Sequence, residues 1–85
     1  MPSVAQIKLS KIEEMLRRCS PGSRLIRKEH RIWVFDAKGG IYRGLPKGAH
    51  GKSDPEIEFG HVRSMARHLG FEACALEFFG IPKAN

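Results

Sequence analysis

The chain has 85 residues, 41% of them hydrophobic and 28% charged. A chain of this length buries only about 60–65% of the surface its unfolded form exposes, which suits one core and an open site and excludes a multidomain enzyme with an enclosed cavity. Fifteen Lys and Arg against nine Asp and Glu give a net charge of +6. The excess is uneven: residues 1–53 hold twelve basic and four acidic side chains, residues 54–85 three and five. Such a basic half implies a polyanionic partner, nucleic acid first. The longest apolar runs, at 32–35 and 73–76, are four residues, against about 20 for a bilayer crossing. With no apolar secretory core near residue 1, the cytoplasm is the expected compartment.

In chain order, Val4, Ile7, Ile12, Met15, Leu16 and Cys19 recur at helical spacing, and Ser3-x-x-Gln6 and Ser10-x-x-Glu13 match capping boxes, so a first helix is predicted over about 4–19. Ser20-Pro21-Gly22-Ser23 stops it. Residues 24–35 are β-branched and aromatic and read as one strand or two. Asp36-Ala37-Lys38-Gly39-Gly40 is a turn joining Ile32–Phe35 to a short strand at 41–45 as a hairpin, the sheet covering about 24–46. Residues 46–55, with proline at both ends, read as an exposed loop. Val62, Met65, Ala66 and Leu69 mark a helix over about 60–69 ended by Gly70, and a last helix follows over about 72–79. The expected fold is a single α+β domain, a small antiparallel three-stranded sheet with helices packed on one face.

Gly51-Lys52-Ser53 imitates the end of a phosphate-binding loop, but Pro46 stands where that motif needs glycine and Asp54-Pro55 where its helix begins. His61 and His68 are seven residues apart, two helical turns or roughly 10 Å, too far to share a metal alone. Cys19 and Cys74 lie outside any CxxC pattern and are expected to be reduced, partly buried small hydrophobes. No cofactor and no metal is expected. His30 is different, because it stands among Arg27, Lys28 and Arg31 before the apolar Ile32–Phe35. A neutral imidazole can take the proton of a ribose 2′-hydroxyl while nearby cations stabilise the charged phosphorane. The plain alternative for His30 is a polar strand residue facing solvent.

From His30-Arg31-Ile32-Trp33, through Leu45-Pro46-Lys47, His50 and Glu56-Ile57, to the helix at 60–70, the chain resembles the HicA family of RNA-cleaving toxins from toxin–antitoxin pairs. The likeness covers roughly residues 10–70. It implies a fold like that of double-stranded-RNA-binding domains, an mRNA endonuclease with His30 as its base, and an acidic antitoxin that covers the basic face. Lys28-Glu29 precede His30 where the family has Gly-Ser/Thr, the loop at 48–54 is longer than usual, and residues 71–85 are an extension. Arg27, Lys28, Arg31, Arg43, Lys47 and Lys52 are expected, from charge and position, to meet phosphates. A-form RNA would be read mainly through shape and 2′-hydroxyls. The alternatives are a non-catalytic nucleic-acid-binding module, or a protein-interaction domain docking through Phe71, Leu76, Phe78 and Phe79.

Overall fold

Strict alternation in Arg31–Phe35 organises the structure, because Ile32 and Val34 are fully buried while Arg31, Trp33 and Phe35 point the other way. The computed structural model describes residues 6–47 and 53–81. Its elements run β1 (Gln6–Lys8), α1 (Leu9–Cys19), β2 (Arg24–Arg27), β3 (Arg31–Phe35), β4 (Ile41–Pro46), β5 (Glu56–Glu58), α2 (Phe59–Leu69) and α3 (Glu72–Phe78). β2, β3 and β4 form an antiparallel sheet in that order. The helices bury Ile12, Met15, Leu16, Val62, Met65, Ala66, Ala75 and Leu76 together with the sheet's Ile32, Val34 and Leu45. The architecture is the expected α+β layer, a three-stranded sheet with helices on one face and an extra C-terminal helix.

The hairpin between 32–35 and 41–45 forms as expected, with Ile32 opposite Leu45 and Phe35 opposite Ile41. Its turn is an Asx turn: the Asp36 carboxylate accepts from the amides of Lys38 at 2.9 Å and Gly40 at 2.7 Å. Residues 24–35 make two strands, split by the turn Lys28-Glu29-His30-Arg31, where the Lys28 amide donates to the Arg31 carbonyl at 2.8 Å. The register slips by one residue between Ile32 and Val34, so Arg43 and Gly44 together oppose Trp33. This β-bulge turns both Tyr42 and Leu45 towards the core while leaving Arg43 outside.

Three expectations are corrected. The first helix starts at Leu9 and not near residue 4, because Gln6–Lys8 pair with β5, Ile7 opposite the buried Ile57. Helical spacing in that segment served a strand whose alternate residue also faces inward. Ser10 consequently lies inside the helix and caps nothing; Ser3 is outside the described residues. Instead Asp54 caps α1 from across the chain, accepting from the Ser10 amide and hydroxyl at 2.8 Å each, while the Pro55 carbonyl accepts from the Leu9 amide at 2.9 Å. The loop expected over 46–55 is thus anchored at its far end, and β4 runs through Pro46. Third, Cys19 and Cys74 are joined as a disulfide, their Cα atoms 5.6 Å apart. They are 55 residues apart in sequence, and spacing alone carries no information on such a pairing.

Glu72 holds α3 to α2 by accepting from Arg63 Nε at 2.6 Å and Arg67 Nη2 at 3.1 Å. Phe71 and Leu76 are buried, so of the tail side chains expected to dock a partner only Phe78 and Phe79 remain half-exposed, with Phe79 packed edge-on against Phe59. Among the described residues no helix is long and apolar enough to cross a membrane.

Two predictions concern stability. Closing a loop of this length stabilises a fold by about 2–4 kcal/mol, so reduction, or Cys19→Ser with Cys74→Ser, should lower the melting temperature by about 10–20 °C; an unchanged melt on reduction contradicts this. Hydrogen bonds from Ser10 hold the Asp54 carboxyl below its ordinary range, and those from Arg63 and Arg67 do the same for Glu72. A depressed carboxyl stabilises the fold above its unfolded value and stops doing so as pH falls through the folded one. Melts between pH 2.5 and 6 should therefore show an acid-side decline that Asp54→Asn and Glu72→Gln each make shallower while lowering stability at pH 6.

Candidate nucleic-acid interface

Alternation places a second set of side chains on the sheet face that no helix covers. From β2 these are Arg24 and Ile26, from β3 Arg31, Trp33 and Phe35, and from β4 Ile41 and Arg43. Trp33 and Phe35 are half-buried and stand two residues apart with ring centroids at 6.2 Å and planes tilted by 44°. Cations lie over both rings. Lys28 Nζ is 4.7 Å and Arg43 Cζ 5.2 Å from the Trp33 ring centroid, and Arg24 Cζ is 5.7 Å from that of Phe35. Cation–π attraction holds these heads at the rings without neutralising them. The face is thus aromatic at its centre and positive around it. The bulge is what aims Arg43, since without it Arg43 and Leu45 would share one face.

His30 stands at the end of this face, in the turn between β2 and β3, its side chain 78% exposed. Its Nε2 is 3.8 Å from the Glu29 carboxylate, and its carbonyl accepts from Arg31 Nη1 at 3.1 Å. Lys47 closes the same end, its Nζ 3.5 Å from the Glu29 carbonyl.

The cations expected to meet phosphates fall into separate places. Lys28, Arg31 and Arg43 share the open face, and Lys47 sits at its end beside His30. Arg27 does not join them. It pairs in register with the buried Ile32, so it projects to the helix side, where Nη2 donates to the Ser53 carbonyl at 2.6 Å and ties β2 to the segment that caps α1. Lys52 and His50 lie outside the described residues. Arg24 joins the face from β2, and Trp33 and Phe35 are the members that charge counting missed. Their signal was in the sequence: aromatic residues alternating with core residues, with arginines at strand distance on either side.

Comparison with family models, with curated proteins and with solved structures returns no match.

The two arginines should therefore behave differently. Arg43→Glu should weaken nucleic-acid binding alike for all sequences and reduce the slope of log affinity against log salt by about 0.9 or more. Arg27→Gln should leave affinity within about twofold and lower the melting temperature instead, because a charged hydrogen bond to a carbonyl contributes about 1 kcal/mol or more. Filter binding across a salt series checks both, and equal losses of affinity contradict the division.

Proposed function

We propose that this protein binds RNA on the open face of its sheet and cleaves it without a metal, as a HicA-like toxin, with His30 as general base. The observation that supports this most is the position of His30, exposed at the end of a cationic face and flanked by Lys28, Arg31 and Lys47. The imidazole would take the proton of a ribose 2′-hydroxyl, and the oxygen would attack the adjoining phosphorus. The bond to the 5′-oxygen then breaks, leaving a 2′,3′-cyclic phosphate and a 5′-hydroxyl that collects its proton from the imidazolium or from water. Arg31 and Lys47 would stabilise charge on the phosphorane. The central run α1, β2 to β4, α2 supports the reading, while the β1–β5 pair and α3 are additional to the fold that the HicA resemblance implies.

With messenger RNA as substrate the activity would lie in the cytoplasm, and an acidic antitoxin would silence it by covering the same cations. Most cytoplasmic thiols are kept reduced, so the Cys19–Cys74 bond is the feature that runs against a cytoplasmic site.

A second reading, binding without cleavage, is favoured by Glu29. Its carboxylate stands 3.8 Å from His30 Nε2, a negative charge where a substrate phosphate has to come. The test is cleavage of a long unstructured RNA, with EDTA present, by the parent protein and by His30→Ala. General-base catalysis predicts a loss of about 10²–10⁴-fold on substitution and no effect of chelation. Binding with no cleavage by either protein selects the second reading, and equal cleavage by both removes His30 from the mechanism.

A further inference from the structure

We infer that the open sheet face is a stacking platform for unpaired RNA, with one base on Trp33 and the next on Phe35. This rests on the reading that RNA is the ligand and adds which form of RNA the site takes. Two half-buried rings stand on a face that no helix covers, and what lies over Trp33 is the side-chain heads of Lys28 and Arg43, which a base can displace. In a duplex the faces of the bases are already covered by their neighbours, and only edges and backbone are accessible. A ring on this sheet face can therefore stack only with a base that has left its own stack. The spacing agrees. The ring centroids are 6.2 Å apart, nearly twice the 3.4 Å per nucleotide along a strand of stacked duplex, so two bases resting on both rings must be parted from each other.

The cations complete the recognition. Lys28 from the turn after β2 and Arg43 from β4 lie over Trp33, and Arg24 lies at Phe35. A base settling on Trp33 would bring its flanking phosphates to the two cations that now lie over the ring, so the same side chains would change from ring partners to phosphate partners. Ile26 pairs in register with Trp33 and Ile41 with Phe35, which adds apolar side chains beside the rings on this face. His30 precedes Trp33 by three residues, roughly 10 Å along an extended strand. A chain anchored on Trp33 would therefore pass the imidazole within one or two nucleotides, and the face would choose the substrate while the turn acts on it.

Trp33 is the protein's single tryptophan, so its emission reports this position alone. The probe is a 2′-O-methyl oligoribonucleotide of ten nucleotides, which cannot be cut through its 2′-oxygen, titrated as a single strand and as the matching duplex. The expected result is quenching of Trp33 emission by the single strand, affinity at least tenfold above that for the duplex, and a loss of about 5–100-fold in Trp33→Ala. Trp33→Phe, which keeps a ring, should retain most of the affinity, and circular dichroism should show both variants folded. Equal affinity for single strand and duplex with no effect of Trp33→Ala overturns the platform; if unmodified RNA is still cleaved by Trp33→Ala but not by His30→Ala, the endonuclease reading survives that failure. Absence of binding to either form overturns both.

Discussion

The one-residue bulge in β4 is the constraint on which the two-sided sheet depends. Tyr42 and Leu45 are three positions apart, and in a regular strand they would face opposite ways. Placing both Arg43 and Gly44 opposite Trp33 lets Leu45 fill the core between Ile32 and the helices, and lets Tyr42 pack against His68 of α2 with ring centroids 5.6 Å apart. The same slip leaves Arg43 outside, over Trp33. A single irregularity thus completes the apolar side of the sheet and supplies a cation to the other.

The helical layer is held by ties that join distant parts of the chain. α1 is secured at both ends. Its first amides are satisfied by Asp54 and Pro55, and its last residue, Cys19, is bonded to Cys74 in α3. Arg27 attaches β2 to the same capping segment through Ser53, and Glu72 draws two arginines of α2 towards α3. With a small core, such ties limit how far each element can move while leaving the outer face of the sheet free of any of them. The division of labour is by face: ties and core on one side, aromatic rings and the cations over them on the other.

That division bears on charge. A net charge of +6 says that a polyanion will be attracted but not where it will rest. In the folded chain Arg27, Arg63 and Arg67 are engaged in structural hydrogen bonds, whereas Arg24, Lys28 and Arg43 lie over ring faces. Cations that lie on rings exchange partners at little cost, and those fixed to carboxylates or carbonyls do not. The proposed RNA-directed function would therefore draw on fewer of the fifteen basic residues than their number suggests, and on aromatic residues that the count ignores.

Much of the fold was legible from local pattern. The alternation of Arg31–Phe35, the Asp36–Gly40 turn, the Gly70 stop with its left-handed backbone, and the apolar spacing of Val62, Met65 and Ala66 each specify a local conformation through interactions among near neighbours. So did the exposure of His30 beside Lys28 and Arg31. What tertiary structure alone decided were the relations between residues far apart: the β1–β5 pairing that takes Gln6–Lys8 out of the helix, the Asp54 cap on α1, the Cys19–Cys74 bond, and the side of the sheet to which Arg27 points. The physical reason is common to all four. Side-chain periodicity encodes which face a residue presents, but the partner it meets depends on how the elements close on one another, and a one-residue change of register reverses every face along a strand.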